Sequence, residues 1–410
     1  MIDMFRFLKN LKGNAKTCLV LDPLWTIPFN LFAPFATMYM FALGLGDVEI
    51  GLLLSIGMVC NFFIAIIGGV VTDKFGRRKM IIFADFVAWS IPVLIWAFAQ
   101  NFWWFLAAAL FNSIMHIGVV AFECSWVDDL EEKYLANAIN WFHILFLSAV
   151  FASLISGFFV ERYSLVPVMR ILYLAAFIIM TTRVVLLIIF LKETERGKER
   201  MEAVKGISVL SQLSGLKDVF LQVIRSRPMR RVLIMLPMAS IFQMIMGTFF
   251  ALYATQELEI GEYFLAYFPV IRAGVSLLFY FFIQNKLGHF KLQNLMAFGL
   301  GLFIIGHVLL LTAPPQNIPW LLVYALMDAW AAALFWPRMD NMLFASVDPT
   351  ERARCRSVIN VVVLAMTSPF GLLAGLLSDM DRRLPFVLNM ILFLCMMIFI
   401  TRPQKDAVKA

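Results

Sequence analysis

Twelve times along this chain an almost unbroken apolar run lasts about as long as a bilayer's hydrocarbon core is thick. The runs cover roughly 17–43, 49–72, 80–99, 103–125, 138–160, 165–191, 232–254, 263–284, 292–313, 319–345, 356–378 and 384–401. At 1.5 Å per residue, about 20 residues cross a core of about 30 Å. In lipid no water pairs with a bare N–H or C=O, so only helices and closed barrels span it. Barrel strands alternate apolar and polar residues over about 10 positions, a pattern these runs lack. Charged residues make up 15% of the chain and apolar ones 62%, with a mean hydropathy of +0.85. A water-soluble surface needs about a quarter charged residues. The expectation is an all-α polytopic membrane protein with the lipid bilayer as its solvent.

Basic residues set the orientation. With the N terminus inside, the inner loops collect the clusters Arg6–Lys16, Lys74–Lys79, Lys192–Arg231 and Arg352–Arg356, whereas the outer loops hold only Arg162, Arg382 and Arg383. Outer loops 44–50 and 255–263 carry five acids and no base. Both termini are therefore expected in the cytoplasm, in an inner or plasma membrane. The net charge of +7 is dispersed in these short clusters, so it reads as topology and not as a nucleic-acid surface. Five cysteines lie singly in apolar runs, with no CxxC spacing, and read as small buried hydrophobes, not as disulfides or metal ligands. The first run exceeds the length of a cleavable signal's apolar region and is taken as the first span.

The longest polar stretch, 192–231, separates an N-terminal unit (1–191) from a C-terminal unit (232–410). Within it, Val209, Leu210, Leu213, Leu216, Val219, Phe220, Val223 and Ile224 form one stripe, predicting an amphipathic helix in the cytoplasmic interface. The units resemble each other. Val127, Asp128, Glu131, Ile139 and Asn140 align with Val347, Asp348, Glu351, Ile359 and Asn360. Ser153, Gly157 and Glu161 align with Gly371, Gly375 and Asp379, and Asp73–Lys79 aligns with Asn285–Lys291. These matches predict two pseudo-symmetric six-helix bundles, an arrangement that lets a site at their interface open to either side.

One loop carries a motif: Gly69-Val70-Val71-Thr72-Asp73-Lys74-Phe75-Gly76-Arg77-Arg78-Lys79. Gly69 is expected to let a neighbouring helix come close and Gly76 to permit a tight turn. The stretch closely resembles the signature between the second and third helices of the major facilitator superfamily, and it satisfies every signature position. The resemblance extends over the whole chain. It implies that Asp73 and Arg77, with Lys74, Arg78 and Lys79, join the halves at the cytoplasmic side, stabilise an outward-open state and gate transport. The plainer reading of the same residues is a turn with topology-setting charges. The fifth span lacks the Gly-Pro signature of many drug/proton antiporters in the superfamily, which counts against that branch.

Polar groups inside a bilayer are costly, so each is a functional candidate. By resemblance the first, fourth, seventh and tenth helices line a central cavity. Asn112, His116 and Glu123 share one face of the fourth, with Glu123 as a proton carrier or a structural polar group. Asp328 and Arg272 lie at mid-depth on the tenth and eighth spans and are expected to pair if they face each other; Arg272 could instead hold a substrate anion. Asp22 is a further titrating candidate. Trp25, Asn30, Gln243, Tyr253, Trp330 and Trp336 are candidate substrate contacts or packing residues. Asp85 and Arg183 belong to the third and sixth spans, expected to be peripheral, and read as a structural pair.

These features point to a secondary active transporter of a small organic solute, read as proton-coupled and monomeric, working by alternating access without a cofactor. A uniporter or a non-transporting scaffold of the same fold is the alternative. No phosphate-loop motif supports an ATP-driven pump, and no H-E-x-x-H, G-x-S-x-G or Cys/His cluster supports an enzyme. Gly299, Gly301 and Gly306 resemble nucleotide fingerprints but sit inside a span, where glycines serve packing.

Overall fold

A computed structural model describes residues 11–208, 227–287, 289–346 and 352–401. The apolar stripe between Val209 and Ile224, the loop Val347–Glu351 and Gly288 lie outside the described residues. Twelve helices are long and apolar enough to cross a membrane: α1 Gly13–Ala42, α2 Asp47–Phe75, α3 Arg77–Phe98, α4 Phe102–Asp128, α5 Asn137–Tyr163, α6 Leu165–Phe190, α7 Met229–Glu257, α8 Glu262–Phe279, α9 Leu292–Leu311, α10 Ile318–Leu343, α11 Val358–Met380 and α12 Leu384–Thr401. Each expected run falls on one of them.

Helix α6 illustrates how the bilayer sorts side chains. Tyr173, Ala176, Met180, Arg183 and Leu187 recur at helical spacing and are buried, while Ile171, Ile178, Ile189 and Phe190 stand exposed. Both faces are apolar, so greasiness does not distinguish inside from outside. Lipid covers the outer face as well as protein covers the inner one.

Helices α1–α6 pack into one bundle and α7–α12 into another; among the described residues two glycine seams join them, and α7 also meets α1, where Thr255 Oγ1 lies 3.1 Å from Met38 Sδ. In the first, α2 runs antiparallel to α11 at backbone contact. A Cβ added at Gly51 would lie 2.5 Å from the Gly371 carbonyl oxygen, and one at Gly375 would lie 2.7 Å from the Asp47 carbonyl oxygen. Only hydrogen fits there. Hydrogen bonds flank the contact. Ser55 Oγ donates to the Ser368 carbonyl at 2.6 Å and accepts from Leu372 N–H at 2.7 Å. The buried Asp47 carboxylate accepts from Ser378 Oγ at 2.6 Å and from Arg382 Nε at 3.3 Å.

The second seam joins α5 to the start of α8. A Cβ on Gly157 would sit 3.0 Å from Ala266 Cβ, and Ser153 Oγ lies 3.1 Å from the Ala266 carbonyl oxygen. The positions that align in the two halves, Ser153/Gly157 and Gly371/Gly375, thus sit on pseudo-equivalent seams. The internal repeat is visible as geometry.

Both seams gather toward the Asp47 end of α2, far from its Asp73 end. There Gly69 departs from expectation. Nothing lies within 4 Å of a Cβ built on it, and its neighbour Gly68 is the glycine that meets α4, 3.5 Å from the His116 carbonyl oxygen. One residue is about 100° of helix, enough to turn Gly69 away from that contact. Two substitutions separate the roles. Gly375→Leu is expected to lower stability in detergent by on the order of 1–3 kcal/mol through overpacking. Gly69→Ala is expected to leave it unchanged or raise it by up to about 1 kcal/mol, both read from thermal unfolding.

Candidate functional site

Where the bundles face each other, next to the seams, lies a cavity of about 650 Å³, within the range of small-molecule sites. Breaks in the helices shape its wall. In α1 the chain tightens into a 3₁₀ turn over Ala33–Phe35, where Pro34 removes a backbone donor, and Phe32, Ala33, Pro34 and Ala36 all line the cavity. On the first-bundle side the wall is aromatic: Phe29, Phe32, Trp96, Phe105 and Tyr173. The second bundle contributes Phe250, Phe268 and Tyr324, and also Gln243, Arg272 and Asp328. Asn30 adds a polar group from α1, its amide held by the Thr26 carbonyl at 2.8 Å.

Arg272 and Asp328 face each other. Arg272 Nε lies 3.7 Å from Asp328 Oδ2, with the arginine side chain 30% exposed and the aspartate 11%. That is longer than the 2.7–2.9 Å of a strong charge-assisted bond. The second oxygen, Oδ1, is enclosed and has no hydrogen-bond partner. Such a carboxylate is poorly compensated for the loss of water.

Of the residues singled out from the sequence, Asn30, Gln243, Arg272 and Asp328 come together here. The others do not line this cavity. Helix α4 contributes Phe105, while Asn112 donates to the Ala88 carbonyl at 2.7 Å, inside the wide π-type turn Phe86–Ser90 of α3. That turn frees carbonyls, and the amide satisfies one. His116 is half-buried and Glu123 exposed, both outside the lining. Asp22 accepts from Thr26 Oγ1 at 2.7 Å. Trp25 stacks on Phe29 at 5.1 Å and meets Trp89 edge-on, so it backs the wall without forming it. Buried Tyr253 donates to the Leu310 carbonyl at 3.2 Å. Trp330 packs edge-on against Phe279 and Trp336 against Phe335. Helices α3 and α6, expected to be peripheral, instead supply Trp96 and Tyr173 to the cavity, while farther along they carry the Asp85–Arg183 ion pair. The aromatic wall carried no sequence signal, because one more Phe or Trp stands out little in a chain this apolar.

The motif forms a second constellation at the far end of α2. Gly76 has φ +89°, a conformation side chains rarely adopt, and a Cβ there would meet Glu193. Arg77 pairs with Asp128 at the end of α4 and donates to Thr194 Oγ1 at 3.0 Å. Thr194 Oγ1 also bonds Asp128 Oδ2 at 3.0 Å. Glu193 accepts from the N–H groups of Arg77 and Arg78 at 3.0 and 3.1 Å, an acid at the N-terminus of α3. Arg78 donates to the Ile188 carbonyl at 2.7 Å and Lys74 to the Ile207 carbonyl at 3.4 Å. These contacts tie the motif to its own half and to the first residues of the 192–231 linker. Asp73 and Lys79 have no hydrogen-bond or ion-pair partner among the described residues. Asp128, Glu193 and Thr194 were missed as partners; the Asp128/Asp348 repeat was the signal available for the first.

Twelve candidate spans in two related bundles with a cavity between them define a polytopic α-helical membrane protein. A model of the MFS_1 like family matches residues 29–400, and the chain belongs to that family. No curated protein matches it in sequence. Among solved structures it is similar to a mutant form of the nucleoside transporter NupG (15% identity, TM-score 0.71, covering 94% of this chain and 100% of that one). A POT family transporter in complex with 5-aminolevulinic acid gives 13% identity and a TM-score of 0.72, covering 95% and 96%. The human organic anion transporter MFSD10 gives 16% and 0.64, covering 94% and 98%. At these identities the likeness establishes the fold.

Removing Asp128 leaves the buried Arg77 guanidinium without its counter-charge. Asp128→Ala is expected to cost about 3–5 kcal/mol, read from thermal unfolding in detergent. Lys79→Ala, on an exposed side chain, is expected to stay within about 0.5 kcal/mol.

Proposed function

We propose that this protein is a secondary active transporter carrying a small organic solute by alternating access, coupled to protons, as a monomer. The observation that carries this reading is the loosely paired Arg272–Asp328 couple in an otherwise aromatic cavity between the two bundles. The unpartnered oxygen gives a proton a place to bind on Asp328. Once the carboxyl is neutral, Arg272 is released from its pair. Glu123 and Asp22, outside the cavity, are secondary candidates for the proton. Among the remaining candidates, Asn30 and Gln243 contact the solute, Trp25 supports the wall through Phe29, and Asn112, His116, Tyr253, Trp330 and Trp336 serve packing outside the cavity.

Basic loop residues put both termini and the Asp73 end of α2 in the cytoplasm, with 192–231 linking the halves there. The glycine seams then close the outer side, and the described state is the one shut to the exterior. In the opposite state the motif Gly69, Asp73, Lys74, Gly76, Arg77, Arg78 and Lys79 would meet the second half. The open space beside Gly69 leaves room for that approach.

In sealed proteoliposomes, an imposed pH gradient is expected to drive uphill solute movement. Asp328→Asn is expected to reduce that flux at least tenfold while sparing solute-for-solute exchange. Wild-type uphill flux in D328N sinks the coupling assignment, and purely downhill flux in the native protein makes it a uniporter.

A further inference from the structure

We infer that the solute is an organic acid: a single anionic group held by Arg272, on a flat apolar body that lies against the aromatic wall. The inference rests on the transport reading above and names the chemistry of its cargo.

The cavity divides its labour between the bundles. Its charged lining residues, Arg272 and Asp328, are on α8 and α10, and Gln243 faces them from α7. Five of its eight aromatic lining residues come from the first bundle. A solute that satisfies both walls is charged at one end and apolar at the other.

Accessibility decides the sign of that charge. A guanidinium has five donors in a fixed fork. The ion-pair partner of Arg272 among the described residues sits 3.7 Å away, measured from Nε. Its side chain is 30% exposed, against 11% for Asp328, whose second oxygen is enclosed. The cation is what an incoming molecule meets; the carboxylate stands behind it. A cationic solute would be repelled by the guanidinium before reaching Asp328. A zwitterion would bring an ammonium that needs the hidden carboxylate. An anion reaches the open donors directly, and planar carboxylates suit the fork.

Electroneutrality links the anion to a proton. The empty pair is neutral overall. An anion entering alone leaves one net negative charge in a low-dielectric cavity, which is costly. A proton passing from solution to the Asp328 carboxylate restores neutrality, leaving an Arg272–anion pair beside a neutral acid. The titratable and charged groups around Asp328 are Arg272 on α8, Tyr324 on its own helix and His307 on α9, which packs against Tyr324 at 6.4 Å between ring centres. From α7 the facing polar group is the neutral Gln243.

Four probes with one ring body isolate the head group: 2-naphthylacetate, 2-naphthylalanine, 2-naphthylethylamine and 2-naphthylacetamide. They are titrated into the full-length detergent-purified protein at mildly acidic and at neutral pH, with thermal stabilisation and tryptophan quenching as readouts. Naphthylacetate is expected to bind at least tenfold more tightly than the other three, and more tightly at the lower pH. Arg272→Gln is expected to weaken it about tenfold or more, the size of one charged hydrogen-bond contact, and Arg272→Lys by less. Asp328→Asn is expected to keep anion binding and lose its pH dependence. Should R272Q fold poorly, the double variant R272Q/D328N, which removes both charges together, carries the same expected loss of anion binding. Equal or tighter binding of the amine, zwitterion or amide, no response to any probe, or undiminished anion binding in the Arg272→Gln or double variant overturns the proposal. Because these are equilibrium measurements without a gradient, intact anion binding with absent uphill flux counts against the transport reading alone.

Discussion

In lipid an apolar side chain gains nothing by leaving hydrocarbon for a neighbouring helix, so two bundles hold together only through close packing and buried hydrogen bonds. Here that requirement concentrates in the α2–α11 seam. Gly51, Gly371 and Gly375 bring backbones into contact, and Ser55 and Asp47 bond across it from either side. The α5–α8 seam repeats the device with Gly157 and Ser153. Glycine seams suit surfaces that must part, because they interlock no long side chains. At the far end of α2, polar contacts join the motif to α4 and to the start of the linker.

The cavity sits just inside these seams and inherits its character from both bundles. Aromatic rings from α1, α3, α4 and α6 make a wall that is rigid and apolar, whereas the second bundle supplies the ionic pair. A loose ion pair in such surroundings is poised, since neither partner is fully compensated by the other. A tighter, bidentate pair would resist protonation and exclude a ligand alike. The contrast with Asp85–Arg183 is instructive: that pair is in direct contact inside one bundle, and the arginine also lies over the Phe122 ring. One pair staples a bundle, while the other is left available.

How much of the site could be read in advance depended on contrast. Arg272 and Asp328 stood out because charge in an apolar span is rare, and they do meet. Gly76 stood out by its place in the motif, and its positive φ gives the physical reason. Asn112 stood out equally, yet its amide serves a frayed turn in α3. A buried polar group can answer to its own backbone as readily as to a ligand. Phe29, Trp96, Tyr173 and Phe250 had no contrast at all, although they are half of the cavity's aromatic lining. Gly69 and Gly68 show the remaining ambiguity: adjacent glycines point a third of a turn apart, and only packing says which meets α4.

Sequence by itself determined the number of spans, the helical class, the duplication and the loop motif, because each follows from local chemistry: the length of an apolar run, the absence of water, a turn that needs glycine. Tertiary structure alone decided which faces of those helices meet, that α3 and α6 reach the cavity, that the motif's Arg77 turns to Asp128 in its own half, and at which end of α2 the glycine seam packs. The reason is that a helix apolar all round carries no mark distinguishing lipid from protein. Its partner is chosen by shape, a few glycines and a few hydrogen bonds, and these act only across distances that the linear order of residues does not encode.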